Sequence, residues 1–362
     1  MNKHHSVIIV GAGLSGLYLA WRLHQRVVDV VVLEARDRVG GRILSNCIDD
    51  NIENSFDMGP AWVWPQYQQR LKRLTEELGI KRFKQFTDGE MLYEADLHNI
   101  QRYGGSSSHA ESYRIEGGCR ALTDALQSQI PDACIQLDTR VDFIDGSTLS
   151  LQALTNEKLC LYTAEKIILA MPPRLIQQSI AITPQLPQEI SDLWESIPTW
   201  MAGHCKIVFI YAKPFWREQG LSGEAFSRYG PLTEIYDASP ASESYFALTS
   251  FVGINALQRR KISAEQLIKL SLDQLQRLFG VKSLNTIDIQ LQDWSKELFT
   301  SSEMDISKEA SHPHYPGEAA RAFYDNRLML AGTETAREHG GYLEGALESA
   351  EEVLAMMFST QA

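Results

Sequence analysis

The sequence predicts an α/β fold in which a domain built around a parallel sheet is interleaved with a smaller α+β domain of mixed sheet. A β-branched strand, a glycine-rich turn, a helix and a second apolar strand follow one another over residues 7–33. Another strand, glycine-bearing turn and helix come near the other end of the chain, from residue 328 onward. Between these units, sheet and helix patterns are mixed, so the two ends are expected to build one parallel sheet.

Hydrophobic periodicity and turn residues locate the individual elements. The predicted strands cover residues 7–10, 27–33, 135–137, 141–144, 150–153, 158–163, 166–170, 206–211, 245–252 and 328–330. The predicted helices cover residues 17–25, 71–78, 120–129 and 264–279, and a final helix starts around Gly345. Residues 83–113 are more polar and contain a flexible glycine- and serine-rich stretch over residues 104–108.

Length and charge restrict the class of protein. The chain has 362 residues, which fits two domains at roughly 100–200 residues each. Its formal net charge of −12 argues against nucleic acid or an anionic membrane as the main partner. The first residues run directly into a strand, and no window approaches the ~18 apolar residues needed to span a bilayer. We therefore expect a cytoplasmic protein without a membrane partner.

The cysteines are the second indication of the cellular compartment in which the protein resides. They stand far apart, without a C-x-x-C pair, at Cys47, Cys119, Cys134, Cys160 and Cys205. This spacing predicts reduced thiols in a cytoplasmic protein, with neither a disulfide framework nor a metal site.

Gly11, Gly13 and Gly16 form the pattern G-x-G-x-x-G between a predicted strand and helix. The first glycine permits a tight turn, the second lets the backbone approach a pyrophosphate, and the third allows close helix–strand packing. Glu34 ends the next strand, 18 residues beyond Gly16, where a carboxylate can accept a hydrogen bond from a ribose hydroxyl. A tight glycine turn in some other α/β protein is the alternative. The acid disfavours a 2′-phosphate, so the pattern predicts a Rossmann-type domain for FAD or NAD.

The segment directly after Glu34 separates these two cofactors. It reads Ala35-Arg36-Asp37-Arg38-Val39-Gly40-Gly41-Arg42. Its two glycines let the chain lie close against a second stretch of cofactor, and Arg42 can pair with phosphate through two hydrogen bonds. An ordinary charged loop is the alternative. The combination as a whole resembles the flavin amine oxidase family, whose cofactor is FAD.

The resemblance extends over residues 7–355 and is weaker over residues 83–113 and 220–290. Residues 57–62 resemble the family segment that lies beside the flavin ring, and residues 170–173 resemble the strand and double-proline turn between domains. Val141 matches the residue whose backbone meets adenine. The strongest match is residues 330–335 followed by residues 341–346, a second glycine-rich turn that leads into a helix.

This resemblance implies a domain organisation and a set of cofactor contacts. The FAD-binding domain would comprise residues 1–80, 115–175 and 320–362, and the substrate-binding domain residues 81–114 and 176–319. The implied cofactor-binding residues are Gly11, Gly13, Ser15, Gly16, Glu34, Ala35, Arg36, Gly41, Arg42, Met58, Gly59, Pro60, Ala61, Trp62, Val141, Gly332, Glu334, Gly341, Tyr342 and Leu343.

The resemblance also implies a reaction. A hydride equivalent passes from the carbon next to an amine nitrogen to the flavin, the imine hydrolyses, and O2 reoxidises the flavin to give hydrogen peroxide. Lys206 matches the lysine that holds a water against the flavin and aids oxygen activation, although the strand alone also suits an ordinary strand-end lysine. Tyr342 matches one wall of the cage that guides the amine, and Trp294 matches the tryptophan at the flavin edge. For both aromatic residues, core packing is the alternative.

The sequence departs from the family at the substrate pocket. By its spacing from Trp294, Met304 stands where the second cage tyrosine is expected, and Glu303 replaces the cysteine that attaches flavin covalently in some relatives. We therefore expect non-covalent FAD and a softer, less cation-selective pocket. His339 stands where an aromatic residue is common. His312 and His314 are interpreted as loop residues, with a place in the site as the alternative.

Two other functions stay open at this point. A flavin-dependent amino-acid oxidase or carbon–carbon dehydrogenase would need an arginine for a substrate carboxylate, and Arg174 and Arg337 are the weak candidates. A catalytically silent flavoprotein that acts as a partner or assembly factor is the second, since the central region is short for the family. The intact Lys206 and Tyr342 favour an oxidase that takes a small amine and O2.

Overall fold

The computed structural model describes residues 2–97, 99–105, 110–306, 312–313, 315 and 321–358. Within them the strands are β1 Asn2–Val10, β2 Val30–Leu33, β3 Ser45–Cys47, β4 Ser55–Asp57, β5 Arg82–Lys84, β6 Glu90–Asp96, β7 Asn99–Gly104, β8 Tyr113–Ile115, β9 Ile135–Gln136, β10 Thr139–Asp145, β11 Ser150–Thr155, β12 Lys158–Leu169, β13 Ala181–Thr183, β14 Cys205–Tyr211, β15 Leu221–Ser227, β16 Leu232–Asp237, β17 Phe246–Val252, β18 Asp288–Asp293, β19 Ala322–Phe323 and β20 Leu328–Leu330. The α-helices are α1 Leu14–His24, α2 Gln69–Glu77, α3 Arg120–Ser128, α4 Pro173–Ser179, α5 Gln188–Ser196, α6 Ala256–Arg259, α7 Ala264–Phe279, α8 Glu303–Ile306 and α9 Leu343–Phe358.

The first sheet joins both ends of the chain, as the sequence predicts. Its strands run in the order β13-β10-β11-β12-β1-β2-β9, and β20 pairs with β12. Pairing is parallel between β1 and β2, between β1 and β12 and between β12 and β20, while β11 is antiparallel to β10 and β12. Val7 and Ile9 pack into one apolar core and Ile8 and Val10 into another, on the opposite face. Burial on both faces explains the uninterrupted apolar run of β1.

The second sheet is mixed, with strand order β18-β14-β17-β16-β15-β6-β7. Only β15 and β6 pair in parallel among its described strands. Alternate residues of β14 face opposite ways: Ile207 and Phe209 pack into a core shared with α7, while Val208 and Ile210 pack toward Phe56 of the first domain. This second face carries Lys206 and looks toward the first domain.

The last helix, α9, ties several segments together through buried carboxylates. Glu344 accepts hydrogen bonds from the backbone N–H groups of Arg70 and Leu71, at 3.0 and 2.8 Å, and so caps the start of α2. Glu348 accepts from the N–H groups of Arg337, Glu338 and His339. Burial raises the pKa of Glu348, but these backbone donors lower it by more, so that the carboxylate stays charged.

Several predicted boundaries are wrong for local reasons. Val27 is exposed with a φ of 58°, in a turn after α1, and β2 begins only at Val30. The predicted strands 158–163 and 166–170 are one continuous strand, β12. The double proline also starts a helix: Pro173 is the first residue of α4, where a missing N–H costs nothing.

The middle of the chain holds more sheet than the sequence predicts. Residues 83–113 contain β6 and β7, and β15 and β16 were not anticipated. Of the stretch expected to be flexible, residues 106–108 lie outside the described residues. The domain boundaries stay a prediction; β13 pairs with β10, so residues 181–183 belong to the first sheet. No helix in the described residues is long and apolar enough to cross a membrane.

A buried ion pair fixes α4 against α8. Arg174 is 1% exposed, and its guanidinium pairs with Asp305 and donates to the carbonyl oxygens of Glu195 and Ser196 at 2.7 and 3.1 Å. Asp305 also accepts from the backbone N–H of Thr199 at 3.0 Å. All the partners of this guanidinium are therefore internal.

Asp305→Ala should destabilise the fold by about 3–5 kcal/mol, because it leaves the Arg174 charge buried without a partner. Urea unfolding followed by circular dichroism measures the change. The matched control is Glu303→Ala in the same helix, whose exposed pair with Arg260 should contribute little. Equal urea midpoints for the two variants would show that the buried Arg174–Asp305 pair stabilises the fold no more than the exposed Arg260–Glu303 pair.

Candidate active site

A cavity of about 1220 Å³ runs between the two sheets. Of the cofactor residues implied by the sequence, those that line it are Gly11, Gly13, Ser15, Glu34, Ala35, Arg36, Gly41, Arg42, Gly59, Pro60, Ala61, Trp62, Val141, Gly332, Glu334, Gly341, Tyr342 and Leu343. Gly16 and Met58 lie behind this wall, where Gly16 packs against the backbone of Gly11 and Met58 is fully buried. Residues from both chain ends and from the middle therefore meet around one space.

The first glycine turn has the geometry that a pyrophosphate requires. Gly11 has a φ of +106°, and a Cβ there would lie 2.6 Å from the carbonyl oxygen of Ala170. A Cβ on Gly16 would lie 2.0 Å from the carbonyl oxygen of Gly11, whereas one on Gly13 would meet nothing within 4 Å. The turn is thus closed on the protein side and open on the cavity side. The buried hydroxyl of Ser15 has no hydrogen-bond partner, which fits a phosphate oxygen at this helix start.

Glu34 lies at the end of β2, on the cavity wall. Its carboxylate accepts hydrogen bonds from the backbone N–H of Ala12 at 2.7 Å and of Arg36 at 3.0 Å. These bonds orient the carboxylate, and its remaining lone pairs are free to accept from a ribose hydroxyl. Gly40 bridges to Gly13, so the loop after Glu34 lies directly against the first glycine turn.

Arg42 and Glu334 form a pair that joins the two glycine-rich regions. Nη1 of Arg42 lies 2.5 Å from Oε1 of Glu334, and Arg42 also donates a hydrogen bond to the carbonyl oxygen of Trp200 at 3.2 Å. Burial lowers the pKa of Arg42, but Glu334, with smaller contributions from Tyr315 and Asp305, opposes this effect and the pKa is raised overall, so the guanidinium is held charged. The second carboxylate oxygen of Glu334 is buried without a hydrogen-bond partner. This oxygen could accept a hydrogen bond from a hydroxyl of the cofactor, since buried polar atoms normally have a hydrogen-bond partner.

Lys206 lies immediately behind the cavity wall with no exposed surface. Its ammonium donates to the carbonyl oxygen of Gly59 at 3.1 Å and lies 5.5 and 5.7 Å from the ring centres of Trp62 and Phe251. These three contacts all line the cavity. Burial lowers the pKa of Lys206 to about 8, against the opposing effect of Asp57. The group therefore carries a charge that responds to pH near neutrality.

An aromatic and histidine cluster forms the wall around Tyr342. The ring of His312 stacks on Tyr342 at 4.8 Å with an interplanar angle of 22°, and Trp200 lies 4.8 Å from His312. His312 lies outside any helix or strand and lines the cavity, which favours the alternative that it has a place in the site. His314 lies outside the described residues. On the other side of Trp200, burial and the nearby Arg259 lower the pKa of His204 to about 4, so this ring is neutral.

Other predicted residues lie off the cavity wall. Trp294 is fully buried and donates its indole N–H to the carbonyl oxygen of Met58 at 3.0 Å. Met304 lies on α8, and His339 faces Glu348 at 3.5 Å. The two arginine candidates for a substrate carboxylate are both engaged elsewhere, Arg174 with Asp305 and Arg337 with Glu352 at 3.2 Å.

Sequence reasoning missed part of the wall. The cavity is also lined by Trp200, His204, Thr233, Glu234, Phe251 and Arg259. Glu234 and Tyr236 stand two residues apart on β16 and so share one of its faces, and this period-two spacing was the available signal for a strand beside the site. Among the described residues no group of histidine, cysteine and acidic side chains could hold a metal ion.

Two family models match the chain. Residues 93–353 match the family described as flavin containing amine oxidoreductase, and residues 9–78 match the NAD(P)-binding Rossmann-like domain. The second match covers the glycine turn and Glu34, and the first reaches the second turn and α9.

Curated relatives and solved structures agree with these matches. A Dictyostelium discoideum protein named probable flavin-containing monoamine oxidase A is 26% identical, over 96% of each chain. A putrescine oxidase from Kocuria rosea is 23% identical, over 94% of this chain and 92% of its own. The structure of a putrescine oxidase bound to putrescine has a TM-score of 0.84 at 22% identity, covering 99% of this chain and all of the other, which supports the shared fold.

The glycine turns, Glu34 and the unpartnered oxygens of Ser15 and Glu334 fit an extended dinucleotide, and the first family model covers most of the chain. Together with the Rossmann-like match over residues 9–78, this identifies the cofactor as FAD. The chain belongs to the family of flavin-containing amine oxidoreductases.

Proposed function

We propose that the chain oxidises a small primary or secondary amine in the part of the cavity lined by Trp62, Phe251 and Tyr342, with O2 as the electron acceptor. The observation that carries this proposal is the buried ammonium of Lys206, whose contacts Gly59, Trp62 and Phe251 all line the cavity. The names of the relatives, monoamine and putrescine oxidases, support an amine as substrate.

Bound FAD would supply the chemistry of hydride acceptance from the carbon next to the amine nitrogen. The chain's own residues would bind and orient the cofactor and the amine and shield them from water. Glu34, Ser15 and Glu334 would accept and donate hydrogen bonds along the cofactor, while the ring of Tyr342 would attract a cationic amine. Trp294 would act as a positioning residue, since its indole N–H holds the carbonyl oxygen of Met58, next to Gly59.

Lys206 would serve oxygen reduction by simple electrostatics. A positive charge in a water-poor site stabilises the negative charge that O2 acquires as it is reduced. The low dielectric that lowers the pKa of the amine also strengthens its interaction with such a charge. A carboxylate substrate is disfavoured because Arg174 and Arg337 are paired away from the cavity.

We also propose a cytoplasmic location. The cysteines are all free thiols, and two of them, Cys119 and Cys205, are fully buried. Burial raises the pKa of Cys205 to about 12, which makes this thiol unreactive. Unpaired cysteines of this kind are typical of a reducing compartment.

An anaerobic titration of the purified holoprotein with amines and amino acids tests the proposed reaction. Amines should bleach the flavin absorbance, and amino acids should not. A flavin reduced by amino acids alone would replace the amine by a carboxylate-bearing substrate, and a colourless protein unable to take up FAD would contradict the cofactor contacts.

Lys206→Met should retain FAD and slow the reoxidation of reduced flavin by oxygen by about 10–100-fold, because it removes one preorganised charge. Stopped-flow mixing of reduced enzyme with oxygen measures the rate. Lys213→Met, at an exposed lysine just beyond β14, is the control for loss of a charge. An unchanged reoxidation rate in Lys206→Met would exclude this role.

The same rate should depend on pH. Below about 8 the Lys206 amine is protonated, and as the pH rises through that value the charge is lost and reoxidation should slow. The pH profile of reoxidation in the wild-type protein should therefore show a descending limb that Lys206→Met abolishes. A limb that persists in the variant would belong to another group.

Glu34→Ala should weaken FAD binding by about 10–100-fold, since hydrogen bonds to a charged group contribute about 1.5–3 kcal/mol. Dialysis followed by the flavin absorbance of the retained protein measures the loss. Glu338→Ala, near the second turn but off the cavity wall, is the control. Full cofactor occupancy in Glu34→Ala after dialysis would count against the ribose contact.

A further inference from the structure

Three charged side chains are buried where the two sheets meet. Lys206 of β14 has no exposed surface, Asp57 of β4 is 2% exposed and Arg114 of β8 is 4% exposed. Two cations therefore share the surroundings of one carboxylate. An uncompensated buried charge is costly, so Lys206 and Arg114 both depend on Asp57 for compensation.

The carboxylate of Asp57 is held on one side and open on the other. Its Oδ1 accepts hydrogen bonds from the hydroxyl of Ser45 at 2.6 Å and from the backbone N–H of Cys119 at 2.8 Å. Its Oδ2 is buried, has no hydrogen-bond partner among the described residues and lies 3.7 Å from Nη2 of Arg114. Asp57 therefore acts on its cationic neighbours through space and not through a hydrogen bond.

The segment that carries Asp57 also holds Lys206. Gly59, two residues after Asp57, accepts the hydrogen bond of the Lys206 ammonium at 3.1 Å. Two residues span at most about 7 Å along the chain. The carboxylate and the ammonium are thus near neighbours in a site without water, where an opposite charge acts more strongly than it does in solution.

On its own sheet Lys206 has uncharged neighbours. Phe251 of β17 and Gln292 of β18 lie directly opposite it. The charged groups beyond these two neighbours are Glu234, Asp293 and Arg259. Asp293 and Arg259 pair with each other at 2.7 Å, and Glu234 lies on β16, on the far side of Phe251. The closest charges in the described part of the chain therefore come from the first domain.

The two charged neighbours act on Lys206 in opposite directions. Burial lowers the pKa of Lys206 to about 8, Asp57 opposes this effect, and Arg114 reinforces it. Cys119 makes the smallest contribution, and burial raises the pKa of its thiol well above the usual range, so that the thiol carries no charge. The protonation of Lys206 near neutral pH is therefore set by the balance between one carboxylate and one guanidinium.

We propose that Asp57 supplies the counter-charge that keeps Lys206 an ammonium, and that Arg114 limits this effect by competing for the same carboxylate. Neither residue lines the cavity, so each is a positioning residue that acts on the reaction only through Lys206. The inference rests on the proposed role of Lys206 in the reoxidation of the flavin. It makes the pH range of that step depend on residues that touch neither substrate nor oxygen.

Opposite displacements of the pH profile test this assignment. Asp57→Asn keeps an oxygen for its two hydrogen-bond donors but removes the charge, so the descending limb of reoxidation should move to lower pH by about one pH unit. Arg114→Gln removes the competing cation and should move the limb to higher pH. Arg114→Lys restores the charge and should return the limb toward its wild-type position. Stopped-flow mixing of the reduced holoprotein with oxygen, over a range of pH, measures each limb.

A titration without turnover separates the inference from the proposed function. In oxidised holoprotein labelled with ¹³C-lysine, the Cε signal of Lys206 is identified by its absence in Lys206→Met. Its midpoint should fall in Asp57→Asn and rise in Arg114→Gln. If these midpoints move while the reoxidation profile does not, the counter-charge is supported and the role of Lys206 in oxygen reduction is refuted.

Asp273→Asn is the matched control, since it removes one negative charge at an exposed position of α7 outside the cavity. It should leave the Lys206 midpoint and the reoxidation limb unchanged. Midpoints that stay at the wild-type value in Asp57→Asn and Arg114→Gln, or that move in the same direction in both, would overturn the inference. If Asp57→Asn does not fold, the contrast between Arg114→Gln and Arg114→Lys decides it.

Discussion

The structure depends on the carboxylates of α9, which hold the two ends of the chain together. Glu344 caps α2, Glu348 accepts from three consecutive backbone N–H groups, and α9 itself packs against α1. These bonds position Gly341 and Glu334 on the same cavity as Gly13 and Glu34. A cofactor long enough to touch both glycine-rich turns requires this arrangement, because neither turn alone encloses it.

The second constraint is the close contact between the two sheets. One face of β14 packs toward Phe56, so a lysine on that face cannot reach solvent. The amine of this lysine, Lys206, donates a hydrogen bond to one backbone carbonyl oxygen of the opposite domain, that of Gly59. A Cβ at Gly59 would lie 2.1 Å from the carbonyl oxygen of Arg42, so the segment that offers this carbonyl to Lys206 requires a glycine to pack against the loop of Arg42. Cofactor turn, buried lysine and domain contact are therefore linked.

The cofactor half of the site could be predicted from the sequence because its determinants are local. A glycine turn between a strand and a helix, with an acid at the end of the next strand, has the same geometry wherever it occurs. The substrate half depends on pairings between strands far apart in sequence. Spacing alone placed Met304 in the cage, whereas the ring that the structure brings to Tyr342 is His312, and Glu234 reaches the wall only through the pairing of β16 with β17.

The position of β20 in the first sheet has a consequence for biosynthesis. This strand lies close to the end of the described chain and pairs with β12, the neighbour of β1 in the sheet. Helix α9 follows β20 and packs against α1. Contacts between segments so distant in sequence form late, because loop closure must precede them. During translation, the first glycine turn therefore emerges long before the segments that complete its surroundings. The nascent chain must remain a partly assembled domain until β20 and α9 have been synthesised, and cofactor capture follows their docking.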